Sequence, residues 1–280
     1  MQISTNLNAL NAVRAIYSAN ANISRASERI STGLRINHAS DDPTGLAMAN
    51  RLKTQVGSFS KVLDNLSLGT AATQIVDDSL TQMVDILSYM RVAAVASQSS
   101  TLTASDRTAY QDVIDEYVDE IDSIADNAVW NGTSLMTTAS TMDIQSGTSS
   151  GDTTTLEFDK ITAYSLSLEN SAGTNLLSVT STANADSAVD IIDDALDTIN
   201  EYQAYIGAKQ NVMDVQTNVA NAMITSQSVA YGRIMNADMA EETAKLSAAQ
   251  IQRDAATAML TQSLSMNKDL VSFLLKSSFN

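Results

Sequence analysis

The chain of 280 residues has no cysteine, one histidine, one proline, 10 glycines and only 5% aromatic residues. Without cysteine, disulfide frameworks, thiolate zinc sites and cysteine nucleophiles are excluded. His38 is the sole histidine, which removes His-based triads and multi-histidine metal cages. Pro43 as the one proline, with few glycines, leaves little to interrupt long helices. No stretch approaches the roughly 18 consecutive apolar residues of a membrane span, so no membrane insertion is expected. The run Leu270 to Leu275 is short and contains Ser272. The N-terminus has no basic region followed by an apolar run, its first basic residue being Arg14. A cleaved leader is therefore not expected, and the chain reads as cytoplasmic or exported by another route.

What is present is acidic and apolar. Sixteen Lys and Arg stand against 32 Asp and Glu, a net charge of −16, which would repel a polyphosphate backbone and argues against a nucleic-acid partner. The charge is unevenly laid out: residues 1–63 carry +4, 64–142 carry −10, 143–201 carry −10, and 202–280 are neutral. Near-neutral ends suit packing against other chains, and an acidic middle suits water. A 44% apolar content is enough for a sizeable core.

The apolar spacing is that of helices in a bundle. Val76, Leu80, Met83, Leu87, Met90 and Ala94 step by four and three, as do Tyr110, Ile114, Tyr117, Ile121, Ile124 and Ala128. Thr103 with Asp106 predicts a capping box before the second run. A longer seam runs through Ile192, Leu196, Ile199, Ile206 and Met213 to Ile224, Tyr231 and Ile234, with Gln203, Gln210 and Gln227 in step. Ser187 with Asp190 is read as its start. Fifty such residues would span about 75 Å. A second stripe of Val212, Val215, Val219, Ala222 and Val229 lies on another face, so this helix needs neighbours on both sides. At the chain ends, Val13, Ile16, Ile23, Ile30 and Leu34 form one heptad track, and Leu260, Leu264, Val271 and Leu274 another. Asn20, Ser27 and Asn267 interrupt them, so both ends are expected to be marginal alone and ordered in an assembly.

Residues 137–182 differ, with 20 Ser or Thr among 46 positions. Thr153–Phe158 and Tyr164–Leu168 alternate in strand fashion and predict one or two small β-hairpins. Asp42-Pro43 marks a helix start. The fold class is mainly α: a long antiparallel helical bundle or coiled coil formed by both chain ends, with a small β-hairpin insert. Residues 1–40 with 240–280 are assigned to a terminal coiled-coil domain, and 41–136 with 183–239 to a helical core. Residues 137–182 are a Ser/Thr-rich insert of that core, with no large outer domain.

Catalytic chemistry is hard to find. Gly147 and Gly151 lie among Ser and Thr without a following Lys and helix, so no phosphate loop is present. Asp115, Glu116, Asp119, Glu120 and Asp122 point several ways on a helix, outside any Ca²⁺ loop, and read as a solvated face, as do Asp193-Asp194. His38 reads as a polar loop residue, and Asn131-Gly132 as a turn. No enzyme activity, cofactor or metal is expected.

Several motifs carry a resemblance. Ser31-Thr32-Gly33-Leu34-Arg35-Ile36-Asn37, then Ser40-Asp41-Asp42-Pro43-Thr44-Gly45-Leu46-Ala47, resembles the N-terminal signature of bacterial flagellins. Trp130-Asn131-Gly132 stands where that family has an aromatic-Asn-Gly turn, and Ile144-Gln145-Ser146-Gly147 with Gly151-Asp152 is similar to its hairpin motif. Ile206-Gly207-Ala208-Lys209-Gln210-Asn211, Arg233 to Glu242, and Ala258-Met259-Leu260-Thr261-Gln262 match its C-terminal half in order. The resemblance implies a structural subunit that self-polymerises into the flagellar filament for swimming. The paired ends would line the inner tube, with the core helices in the next shell. It further implies extracellular localisation by flagellar export without a cleaved signal, and partners in the export apparatus, a secretion chaperone, the filament cap and hook-junction proteins.

Two departures matter. Family members recognised by the innate Toll-like flagellin receptor carry Arg and Glu where this chain has Tyr89 and Val113, with Arg91 retained, so weak activation is expected. The tail Lys276-Ser277-Ser278-Phe279-Asn280 runs past the point where many relatives stop. A hook–filament junction protein shares the terminal helices and a Ser-Asp-Asp-Pro run, but Gly45-Leu46-Ala47 and the C-terminal match favour flagellin. From another class, a cytoplasmic helical signalling hairpin fits the heptads, while the β insert and the lack of membrane spans oppose it.

Overall fold

A computed structural model describes residues 6–170 and 172–278, and of the side chains all but those at 270 and 273–278. In chain order the elements are α1 (Leu7–Thr32), α2 (Pro43–Ser97), α3 (Ala104–Asn127), β1 (Val129–Trp130), β2 (Thr133–Ser134), β3 (Ser140–Gln145), β4 (Thr153–Phe158), α4 (Thr182–Met235) and α5 (Met239–Ser278). The helices start where side chains satisfy their first N–H groups. The Asn6 side chain accepts from Ala9 at 3.0 Å, and Asp42 accepts from Gly45 at 2.8 Å beside Pro43. Thr103 and Asp106 form the capping box reciprocally. The start signal read at Ser187 is corrected: α4 begins at Thr182, with the Ser181 hydroxyl accepting from Asn184 at 3.2 Å. An earlier hydroxyl in the same Ser/Thr run reaches the free N–H groups first.

The chain divides into two compact units, Met1–Thr54 with Ser226–Asn280, and Gln55–Thr225. The division falls within α2 and α4, further from the termini than the expected boundaries at residues 40 and 240. In the first unit α1 and α5 pair antiparallel, Asn6 meeting Ser263 near one end and Arg29 meeting Glu242 near the other. Gly33 closes α1 in the left-handed region (φ 70°), its N–H donating to Arg29. The connectors then pair: Arg35 N–H donates to Met235 at 2.6 Å and Ala237 N–H to Gly33 at 2.9 Å. Ile36, Ala49 and Met235 form a small core beneath them, against Leu34, Leu46, Tyr231 and Ile234.

The second unit has one continuous core. Val76, Leu80, Met83, Leu87 and Met90 of α2 are buried with Ile114, Ile121 and Ile124 of α3 and with Ile192, Ile199, Ile206 and Met213 of α4. Tyr117 and Leu196 pack against it half-buried. Thr81 accepts from Gln203 and Arg91 grips Asp193, so α2 and α4 run antiparallel. The β1–β2 hairpin turns through Asn131 (φ 47°) and Gly132 (φ 80°), both left-handed, the geometry of a type I′ turn. β3 and β4 form an antiparallel hairpin with Ile144 opposite Thr154. A Cβ on Gly69 would stand 3.0 Å from Ile144 and Met213, so the glycine lets hairpin, α2 and α4 meet. α4 ties β4 down: the Tyr205 and Tyr202 hydroxyls accept from Glu157 and Asp159 N–H, each at 3.1 Å, and Lys209 donates to Thr155 at 3.0 Å. Burial pushes the Tyr202 hydroxyl pKa up to about 12.

The second predicted strand, Tyr164–Leu168, is corrected to a run of turns, with Ser167 at φ 61°. Its N–H groups bond locally, Leu166 to Thr162 and Leu168 to Ala163, while the Leu168 carbonyl accepts from Leu176 at 2.8 Å beside an isolated Glu169–Asn175 bridge, and both leucines are buried. The segment around it docks on α3: Asp122 accepts from Ala163 N–H at 2.7 Å, and Gln111 exchanges bonds with Leu177 and Val179 at 2.8 Å.

Candidate assembly surfaces

In the first unit the seam is narrower than the apolar spacing implies. Ala12, Ala19 and Ala26 are buried in the centre of the inward face of α1, and Ala249 and Ala256 face them from α5. Ile16, Ile23 and Ile30 flank that line half-buried. The expected track is therefore corrected by one position at alternate steps, because Ala12, Ala19 and Ala26 take the places given to Val13, Asn20 and Ser27. Small residues let the two backbones approach closely, whereas Val or Leu there would hold them apart. On α5, Leu260 is half-buried, but Leu264 and Val271 are exposed, and Ser263 turns inward to bond Asn6. The side chain of Leu274 and the tail residues Phe279 and Asn280 lie outside the described residues. An alanine every seven residues was the available signal, hidden by the larger apolar side chains beside it.

This arrangement leaves apolar side chains pointing out of the pair. Leu7, Leu10 and Tyr17 on α1 and Ile251, Met259 and Met266 on α5 are exposed, Tyr17 at 72% and Ile251 at 70%. Two grooves run between the helices, of about 390 Å³ beside Arg25, Glu242 and Lys245, and about 490 Å³ beside Asn8, Ala256 and Met266. Glu242, which sequence reasoning passed over, is buried there, accepting from Lys245 at 2.9 Å with Arg29 at 3.5 Å. Arg29 also stands 3.9 Å from Asp41. His38 and Asn37 N–H groups hold the Asp41 carboxyl below its ordinary pKa, with Arg29 adding to them. His38 lies in the connector, 2.8 Å from Glu28.

In the second unit, Val212, Val215 and Val219 form an exposed stripe on α4, as the spacing predicts. Ile224 is half-buried, as are Tyr231 and Ile234 in the first unit. Tyr89 and Val113 are both exposed, Tyr89 stacking on Tyr117 at 6.3 Å between ring centres. The Arg91 fork grips Asp193 through two bonds, of 2.6 and 3.0 Å, which lowers the Asp193 pKa. Elsewhere carboxylates crowd: desolvation raises the pKa of Glu169, and Asp122 and Asp119 reinforce it. Among the described residues no group of three or more His, Asp or Glu is placed to hold a metal ion, and no helix is long and apolar enough to cross a membrane.

Comparison with known proteins converges on one family. Residues 3–141 match the bacterial flagellin N-terminal helical region, and residues 189–274 the bacterial flagellin C-terminal helical region. A flagellin of Halalkalibacterium halodurans is 33% identical over 264 residues, covering 94% of this chain and 95% of its own length. A flagellar filament core protein of Brachyspira hyodysenteriae is 29% identical over 279 residues, covering 96% of this chain and 98% of its own. Among solved structures, a putative flagellar hook-associated protein from Vibrio parahaemolyticus covers 70% of this chain and all of its own, with a TM-score of 0.59 at 17% identity; that likeness concerns the fold alone.

Proposed function

The chain belongs to the bacterial flagellin family and is a structural subunit of the flagellar filament, and from that premise we propose how its surfaces are used. The α1/α5 pair lines the inner tube of the homopolymer, the α2–α3–α4 core forms the next shell, and the chain does no catalysis. One observation carries this reading: the alanine seam spends the small residues on the intrachain pair and turns Tyr17, Ile251 and Met259 outward. An isolated helix pair gains nothing from such exposure, whereas copies packed around it bury those side chains.

Short sonicated filaments added to heated, cooled monomer test the reading. Wild-type chain elongates them, and Ile251→Lys, with monomer helicity unchanged, does not. Elongation by Ile251→Lys at the wild-type rate would remove α5 from the contact. We propose further that the chain reaches the filament through the flagellar export apparatus, with a secretion chaperone on the α5 segment, and that the filament cap and hook-junction proteins bound the polymer. Innate-receptor activation is weak, because the Tyr89 ring and Val113 replace charged hydrogen-bonding groups and Asp193 occupies the Arg91 fork. A reporter-cell response equal to that of a potent agonist would refute this last point.

A further inference from the structure

We propose that Asn131 is a site of spontaneous covalent modification, deamidation through the Gly132 backbone nitrogen, which the folded hairpin suppresses and the unfolded chain undergoes. The proposal does not depend on the filament reading.

Asn131-Gly132 is the only Asn-Gly pair in the chain, and both residues are exposed. Glycine has no Cβ to shield its backbone nitrogen, so that nitrogen reaches the side-chain carbon of the preceding asparagine freely. In the reaction the Gly132 nitrogen gives up its proton to water or hydroxide and bonds to Asn131 Cγ. The bond from Cγ to the side-chain nitrogen breaks, ammonia leaves with a proton, and a five-membered succinimide remains. One water then opens the ring. Addition at Cγ gives aspartate. Addition at the Asn131 backbone carbonyl gives isoaspartate, with the main chain rerouted through Cβ and Cγ.

The fold opposes ring closure. Asn131 at φ 47° and Gly132 at φ 80° are the two central residues of the β1–β2 turn, flanked by the pairs Trp130–Thr133 and Val129–Ser134. The first central residue of a type I′ turn has a ψ of about +30°, the mirror image of type I. At that ψ the Gly132 nitrogen stands nearly opposite Cβ across the Cα–C bond, whereas closure needs the two side by side. Attack therefore waits for the hairpin to open. Its exit strand is held in place: Leu135 N–H donates to Ala128 at 2.9 Å, Ile161 N–H donates to Met136 at 2.8 Å, and Leu135 and Met136 are both buried. An unfolded chain has no such restraint.

The two products differ in consequence. Asp-Gly suits a type I′ turn as Asn-Gly does, and an exposed carboxylate there stays solvated. Isoaspartate adds a backbone carbon to a two-residue loop that has no slack, which draws Leu135 and Met136 away from their buried places. A chain that lingers unfolded is thereby marked, and a share of such chains loses the ability to refold.

The full chain is incubated at mildly alkaline pH, folded or in denaturant, and compared with fresh protein. Peptide mapping by electron-transfer mass spectrometry counts asparagine, aspartate and isoaspartate at position 131. Conversion in the folded chain is expected to be slower by more than about tenfold, because it proceeds only through local opening. Equal rates would overturn the protection. After removal of denaturant, isoaspartate is expected to concentrate in the fraction that fails to regain helicity, and aspartate in the refolded fraction. An even spread of isoaspartate between the two would overturn the consequence for folding. Asn131→Gly keeps a turn-forming Gly-Gly pair without a side-chain amide, and is expected to refold after incubation as well as before it. A loss on incubation as large as that of the wild-type chain would place the damage at another residue and overturn the assignment to Asn131.

Discussion

Arg107 shows how much one side chain can fix. It is buried at the start of α3, and its fork donates to the Ser97 carbonyl at 3.0 Å and to Ser99, closing the C-terminal end of α2 and the turn after it. Arg107→Met leaves those carbonyls unsatisfied and is expected to cost about 2 kcal/mol, read as a lower thermal midpoint of helicity. Arg107→Lys recovers only part, since one ammonium cannot span both acceptors as the planar fork does. Nothing in the sequence singles out this arginine, because its partners are backbone carbonyls with no residue signature. Asp41 acts through pH. Its folded pKa lies below the ordinary 3.8, so its contribution is present above that value and is lost as pH falls through the depressed folded pKa. Asp41→Asn should flatten the acid limb of a stability-versus-pH curve, and an unchanged limb would assign acid lability elsewhere.

The paired helices α1 and α5 are fixed by what their seam omits. Ala19 is 2% exposed, in the middle of the face that α1 turns toward α5. Ala19→Leu adds volume where there is none and is expected to destabilise the pair by about 1–3 kcal/mol. Hydrogen exchange of the α1 amides in the monomer reads this directly, and unchanged protection would mean that the seam lies elsewhere. Leu264→Ala, on the exposed face, should shift monomer stability by less than about 0.5 kcal/mol. The same contrast shows what was legible in the sequence. In the second unit, Val76 to Met90 and Ile192 to Met213 are large and mark the buried face directly, so heptad spacing places the core. In α1 the buried residue is alanine, whose apolar signal is weaker than that of Val13 next to it, so spacing selects the neighbour. The exposed Val212–Val219 stripe was readable because it lies on a second face of a helix whose first face was already full. The Glu242 cluster was not, since a buried carboxylate looks like any other glutamate until Arg29 and Lys245 are brought around it.

For the molecule as a whole, charge decides how assembly responds to solution conditions. Unit Met1–Thr54 with Ser226–Asn280 holds eleven basic and eight acidic residues, a net +3, against −19 for the other. Every added copy brings another −19 beside those already in the polymer, and the repulsion falls as salt shortens the screening length from about 30 Å at 0.01 M to about 8 Å at 0.15 M. Seeded elongation should therefore accelerate steeply across that range. Above it, charges on neighbouring copies are already largely screened from one another, so sodium chloride should add little. Sulfate should continue to help, because it strengthens burial of exposed apolar side chains such as Ile251 and Val215 by exclusion from apolar surface. Initial elongation rates on a fixed number of seeds, in sodium chloride and sodium sulfate series matched for ionic strength, separate the two contributions. A rate that is flat from 0.01 to 0.15 M would mean that the acidic surfaces of neighbouring copies stand further apart than a screening length, and that the contacts driving growth lie away from the −19 unit.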